Sequence, residues 1–368
     1  MDPHPLPAVS RRSFLYTVAA SAAAGFATPL LGAEAPASKT WKLKLGMDNF
    51  AVRAMGWKAP QLIEYAASLK LDTLLISDLD AYEKLDDAYL AGIKAKADEA
   101  GLRLYQGSWS ICPTSPKFKN NWGTAEEHLQ LGLRVSKAVG SPVFRVVLGS
   151  MEDRKTEGGI KARIADTVKV LKACEKQARD AGIKVAVENH AGDLHSWELV
   201  DLIKAAGPEF VGANIDSGNA AWTLEDPLQV LENLGQYTVC SSLRDNMIWE
   251  TPDGAAIQWT AAGEGLIDWK SYVERWTALC PDVPIQIETI SGFTRQFPYK
   301  KDDFWKFYDK RPEALAQFEA LAKRGREILP FKAPDGPAKQ QAEQDYQKGE
   351  LERSVKYLRE VIGVGVRA

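Results

Sequence analysis

The sequence predicts an α/β protein, a (β/α)8 barrel of eight parallel strands with an extra C-terminal helix. Three observations predict it. From Trp41 onward, short apolar runs alternate with longer helical periodicities, the pattern of repeated βα units. The count fits a closed barrel, with eight strand candidates and eight helix candidates at about 30 residues per unit. Finally, several of the apolar runs stop at a carboxylate: Val185-Ala186-Val187-Glu188, Asn214-Ile215-Asp216 and Ile285-Gln286-Ile287-Glu288. In a parallel barrel the C-terminal strand ends share one rim, so acids far apart in sequence converge there. A doubly wound open sheet is the alternative reading of the same alternation.

Taken in order, the chain begins with a targeting segment, residues 1–35, which is set aside before fold reasoning. Ser10-Arg11-Arg12-Ser13-Phe14-Leu15 precedes an alanine-rich apolar run from Val18 to Leu31 and the small residues Gly32-Ala33-Glu34-Ala35. This resembles a twin-arginine export signal, which implies a periplasmic or otherwise exported protein. The run is short of the ~20 apolar residues that span a bilayer, so no stable membrane span is expected once the signal is removed.

The barrel is expected over residues 36–330. Its strands are predicted at 43–47, 73–76, 102–107, 143–148, 184–188, 211–216, 237–243 and 284–288. Helices are predicted at 60–69, 86–100, 125–139, 160–181, 196–206, 227–234, 269–279 and 312–328. Ala100-Gly101, Val139-Gly140, Ala181-Gly182 and Ala206-Gly207 each place a glycine where a helix should stop. Residues 331–368 form a linker and a last helix near 338–361. The apolar positions Leu351, Val355, Leu358 and Ile362 of that helix are expected to pack on the barrel or on a second copy in a homo-oligomer.

Composition narrows the partners. Of 368 residues, 45% are hydrophobic and 26% charged, enough for a sizeable core. A net charge of -3 leaves no basic footprint for nucleic acid, so small-molecule substrates are expected. Cys112, Cys174, Cys240 and Cys280 lack C-x-x-C spacing and are read as buried thiols.

A carboxylate at the end of a buried strand is costly unless it is hydrogen-bonded, paired or bound to a metal. Three on one rim repel one another, and a divalent cation relieves this, with oxygen-only ligation suiting Mg2+ or Mn2+. Arg145, a cation within the apolar fourth strand, is expected to neutralise the barrel acids. Of the tryptophans in strand-end loops, Trp57, Trp109 and Trp222, only Trp109, after the third strand, is expected to offer an apolar wall to a sugar ring, the others being read as packing. Phe293-Thr294-Arg295-Gln296-Phe297-Pro298-Tyr299 is read as a loop that either closes over the pocket, with Arg295 toward substrate, or packs on the surface.

Val187-Glu188-Asn189-His190, Asn214-Ile215-Asp216-Ser217-Gly218-Asn219, Ser242-Leu243-Arg244-Asp245, Gly263-Glu264-Gly265-Leu266-Ile267-Asp268-Trp269 and Ile287-Glu288 follow one another in order. Together they resemble the motifs of the xylose isomerase-like TIM barrel family of sugar isomerases and epimerases. The resemblance implies metal ligands at Glu188, Asp216 and Glu288. The third ligand position, a histidine in the family, falls on Ser242, a neutral and weaker ligand. It further implies that Glu188 and Glu288 act as acid and base, and that Arg244 faces substrate oxygens with Asp245 in support. His190, His195 and Asn219 are further candidates for substrate binding. The function expected is a divalent-metal-dependent sugar isomerase or epimerase that removes a proton beside a carbonyl. A 3-keto-glycoside lyase or deglycosidase on the same site, and a metal-free carbohydrate-binding barrel, are the alternatives.

Overall fold

A computed structural model describes residues 41–367; residues 1–35, expected above to be an export signal, lie outside the described residues. Eight parallel strands form the barrel: β1 (Leu45–Asp48), β2 (Thr73–Ile76), β3 (Arg103–Ser110), β4 (Val143–Val147), β5 (Lys184–Glu188), β6 (Val211–Ile215), β7 (Thr238–Ser241) and, after an insertion, β10 (Ile285–Ile287). β1 pairs with β2 on one side and with β10 on the other, Leu45 opposite Ile285. The ring closes just beyond β7. Leu243 bridges Ile287, donating its N–H to Gln286 O at 2.7 Å, and Glu288 N–H returns to Leu243 O at 2.9 Å.

Helices α1 (Ala59–Ser68), α2 (Asp87–Glu99), α3 (Ala125–Val139), α4 (Gly159–Ala173), α5 (Glu175–Ala181), α6 (Ser196–Ala206), α8 (Pro227–Leu234) and α9 (Trp269–Leu279) lie between successive strands. A single turn, α7 (Ser217–Ala220), follows β6. The predicted helix 160–181 is two helices, broken at Cys174, whose backbone leaves the helical range at φ -103 and ψ 3. Nothing in the apolar spacing marks this break. The predicted punctuation is present at Gly140 and Gly182, which end α3 and α5 with φ of 74 and 66. α3 opens with a reciprocal cap between Thr124 and Glu127. Its Gly132 lies against the Phe144 ring of β4, where a Cβ would overlap ring carbons.

Strand alternation explains where chemistry collects. Phe144, Val146, Val185 and Val187 belong to the large core between sheet and helices. Leu75, Tyr105, Val143, Ala186 and Cys240 form a separate apolar cluster, the layer inside the barrel. Successive side chains of a strand point to opposite faces. Two residues further along each of these strands, the next inward layer is therefore Ser77, Gly107, Arg145, Glu188 and Ser242. The interior turns from apolar to polar in one step, at the C-terminal rim.

Two sequence expectations are corrected here. The segment after β7 is a hairpin, β8 (Asp245–Thr251) and β9 (Gly254–Thr260), turning at Pro252-Asp253. Residues 293–299 supply its third strand, β11 (Thr294–Phe297), antiparallel to β9, and are not a free loop. Trp222 and Trp259 stack beneath it with ring centroids 4.5 Å apart. Strict βα alternation thus fails between β7 and α9, where a small antiparallel sheet is inserted.

The C-terminal helices are α10 (Pro312–Ala322), which stops short of the predicted 328, and α11 (Lys339–Tyr357). Leu351, Val355, Leu358 and Ile362 are buried in the main core of this same chain, so the last helix packs on its own barrel. The segment after the last helix then ties to the segment leading into β1, with Trp41 N–H donating to Gly363 O and Gly365 N–H to Leu43 O, both at 2.9 Å. All four cysteines are buried free thiols. Among the described residues no helix is long and apolar enough to cross a membrane.

Candidate active and metal site

Glu188 ends β5, Asp216 follows β6 and Glu288 follows β10, and the closed ring brings them together. One oxygen from each lies within 4.8 Å of the other two, and all three side chains are buried. The last residue of β1 adds a fourth acid, Asp48, which is fully buried.

Each acid has defined partners. Glu188 Oε2 accepts from Arg145 Nη2 at 2.5 Å and Nε at 2.6 Å, and from Asn214 Nδ2 at 2.8 Å. Its Oε1 accepts from Asn219 Nδ2 at 3.2 Å. Asp216 Oδ1 caps α7, accepting from Gly218 N at 2.7 Å and Asn219 N at 3.0 Å. Its Oδ2 accepts from Asn219 Nδ2 at 2.7 Å and, in a short contact, from Arg244 Nη2. The same Arg244 nitrogen donates to Glu288 Oε2 at 2.7 Å. Asp48 Oδ1 accepts from Phe50 N at 2.8 Å and Ser77 Oγ at 2.6 Å, while its Oδ2 accepts from Ser242 Oγ at 3.3 Å. Ser242 Oγ itself accepts from Asn214 Nδ2 at 3.2 Å.

Burial raises the pKa of Glu188, Asp216 and Glu288 above the usual carboxylate range; Arg244 pulls all three the other way, joined by Arg145 at Glu188 and Glu288, while neighbouring carboxylates add to the rise, Asp48 at Glu188, Glu188 and Glu288 at Asp216, and Glu188 at Glu288. Burial, then the charge of Glu288, pushes Asp48 up to about 7. Four carboxylates share two guanidiniums, so the fully ionised ring carries two surplus negative charges.

This donor set fits a divalent metal ion. It is all oxygen, its carboxylates outnumber the guanidiniums beside them, and the amide oxygens Asn214 Oδ1 and Asn219 Oδ1 are buried without a hydrogen-bond partner. Glu188, Asp216 and Glu288 form the candidate triad able to coordinate it. Ser242 is committed as a donor to Asp48.

A cavity of about 380 Å3 opens above the ring. Glu288, Arg145, Arg244, Asn219 and His190 face it, with Trp109, Trp122, Trp259 and Phe50 as aromatic walls. Glu188 and Asp216 lie behind this surface, covered by Arg145, Arg244 and Asn219. His190 Nδ1 lies 2.6 Å from Gly149 O. A carbonyl only accepts, so Nδ1 carries the proton and Nε2 the lone pair. Burial, with Arg145 nearby, lowers the His190 pKa to about 3, so the ring is neutral.

The remaining expected residues fall elsewhere. His195 is buried beside the site's second layer, its Nδ1 3.0 Å from Glu198 Oε2 and 3.1 Å from Arg154 Nη2, with its ring stacked on Trp197. Arg295 sits on β11 with its guanidinium 4.7 Å from the Trp222 ring centroid. Neither lines the cavity. Trp57 pairs with Tyr65 at 5.0 Å, and Trp222 lies beneath Trp259; neither is a wall residue. Asp245 does not support Arg244. It accepts from Gly263 N, Ile267 N and Trp269 Nε1 and anchors the loop before α9.

Sequence reasoning missed Asp48 and the pair Ser108 and His128, whose Oγ and Nε2 lie 2.7 Å apart in the cavity wall. Leu45-Gly46-Met47-Asp48 has the same apolar-run-then-acid pattern as the other three and was open to the same rule. Ser108 and His128 carry no comparable signal, since each is a common residue type in an ordinary element.

Fold and site together define a parallel (β/α)8 barrel with a candidate acidic metal triad at its C-terminal rim. The chain belongs to the xylose isomerase-like TIM barrel family, whose sequence model matches residues 63–277. No curated protein matches the chain in sequence. Among solved structures, D-psicose 3-epimerase with D-tagatose from Clostridium cellulolyticum H10 is similar at 16% identity and TM-score 0.54, over 87% of this chain and 99% of its own. An IOLI protein with a bound zinc atom is similar at 14% identity and TM-score 0.53, over 77% and 96%. A 3-keto-D-glucoside 4-epimerase from E. coli is similar at 14% identity and TM-score 0.51, over 76% and 100%. At these identities the likeness is one of fold.

Proposed function

We propose that this protein is a sugar isomerase or epimerase that moves a proton at a carbon beside a carbonyl. The observation that carries the reading is the convergence of Glu188, Asp216 and Glu288 beneath a cavity into which Glu288 alone of the three opens. Glu288 is the group placed to take the proton, and its raised pKa brings it nearer to working pH. Arg244 offers Nε–H and Nη1–H groups that have no protein acceptor and suit negative charge growing on a substrate oxygen. His190 Nε2 accepts from a substrate hydroxyl. Glu188 returns a proton from the opposite side once the Asn219 amide turns away from it. Mg2+ or Mn2+ bound by Glu188, Asp216 and Glu288 would supply Lewis-acid stabilisation of charge on the substrate oxygens. The aromatic walls suit the apolar faces of a sugar ring.

The test is solvent-deuterium incorporation into ketoses and 3-keto-glycosides, followed by NMR. Wild type should exchange the carbon-bound proton, and Glu288→Gln should lose activity by about 10²–10⁴-fold. Exchange without loss of an aglycone supports isomerase or epimerase chemistry, whereas appearance of a free aglycone would assign the site to a lyase. No exchange with any substrate would leave a binding barrel.

We also propose export through the Ser10–Leu15 segment. Replacing Arg11 and Arg12 by lysine should retain a tagged protein in the cytoplasm, and unchanged fractionation would overturn the assignment.

A further inference from the structure

We propose that Arg244 is a resident cation at the focus of the carboxylate ring, and that a divalent metal enters only by displacing its guanidinium. The proposal rests on the reading of Glu188, Asp216 and Glu288 as a metal site and says how that site is filled.

Geometry sets the two cations in competition. A single nitrogen, Arg244 Nη2, bridges Asp216 Oδ2 and Glu288 Oε2, two of the three triad acids. A dication drawing on those same oxygens would bring two positive centres within a few ångströms, where repulsion in a buried site is large. The two occupants are therefore exclusive.

The surroundings are shaped to Arg244 in this position. Its side chain is 2% exposed. Gly218 makes room for its stem, since a Cβ there would overlap Arg244 Cγ and Cδ. Its guanidinium lies 4.4 Å from the Trp259 ring centroid, an aromatic face that holds a cation. Yet Nε and Nη1 are buried without acceptors, which is costly. Arg244 is thus held by one nitrogen and a ring face, while its other donors, buried behind the cavity that the residue lines, have no protein acceptor. That arrangement leaves it free to give up the carboxylates to a metal and to turn those donors to a ligand oxygen.

Calorimetric titration of the full chain with Mn2+ tests the exchange. Arg244→Gln should bind one Mn2+ at least about tenfold more tightly than wild type, a coupling of the usual size between exclusive ligands. The gain should vanish in the double variant Glu188→Gln/Arg244→Gln. Equal affinity of wild type and Arg244→Gln would overturn the proposal and leave the metal site standing. Absence of binding in both would overturn the proposal and the metal reading together. If the glutamine variant does not fold, the wild type decides. Its Arg244 Nε–H resonance, identified by its loss in Arg244→Lys, should move in step with Mg2+ uptake. A fixed resonance at saturating Mg2+ overturns the exchange.

Discussion

Arg145 shows how strongly single side chains are constrained in this rim. It lies in an apolar strand, buried, with Nε and Nη2 on Glu188 and Nη1 donating to Ser108 O at 3.0 Å. Removing one partner of a buried ion pair leaves the other uncompensated, which costs more than the pair itself contributes. In the presence of EDTA, Arg145→Met should therefore lower stability by about 3–5 kcal/mol in urea unfolding. Adding Glu188→Gln should restore part of that loss. If the double variant is no more stable than Arg145→Met, the ion pair is not the cause. At this scale the sequence was partly legible. Acids at the ends of apolar runs and a lone arginine inside one stand out because burial demands a partner. His195 was read as a ligand contact, but its buried neighbours Arg154 and Glu198 claim it, and they are sequence-distant or unremarkable.

Elements, more than residues, decide which side chains meet. The period-2 alternation of β2 through β7 places Leu75, Tyr105, Val143, Ala186 and Cys240 in one layer and Ser77, Arg145, Glu188 and Ser242 in the next. Gly132 tests the packing of the outer layer. Alanine at an interior helix position gains about 1 kcal/mol in propensity over glycine. Against that, its methyl would overlap the buried Phe144 ring on several carbons, and overpacking costs about 1–3 kcal/mol. Because the overlap is with a rigid ring backed by the sheet, Gly132→Ala should be net destabilising by about 1 kcal/mol or more. Thermal unfolding should show this, with recovery on adding Phe144→Leu; a rise in Tm for the single variant would refute the packing argument. The β8–β9 hairpin was the element least legible in the sequence. Its turn residues Pro252-Asp253-Gly254 are a recognisable signal, but its strands sit where barrel regularity leads one to expect a loop and helix. Regularity of the repeat hid the insertion.

For the whole molecule, the barrel was legible because eight apolar runs separated by helical stretches have few other solutions. The destination of the last helix was not, because an apolar stripe reads alike whether it covers its own barrel or a neighbour. Intrachain burial of Leu351, Val355, Leu358 and Ile362 resolves it. The same closure has a consequence in time. β1 is bounded by β10, and the segment leading into it is tied to Gly363 and Gly365. A chain leaving the ribosome displays Asp48 first and then Glu188, with Arg145 already beside it, long before Glu288 exists to complete the ring. Domains fold as units, and a parallel barrel closed by its two ends must wait for the second of them. Until β10 and Glu288 have been made, the first strand has an open edge and the acidic rim is a partial arc, so the site becomes competent only after that last barrel strand is in place.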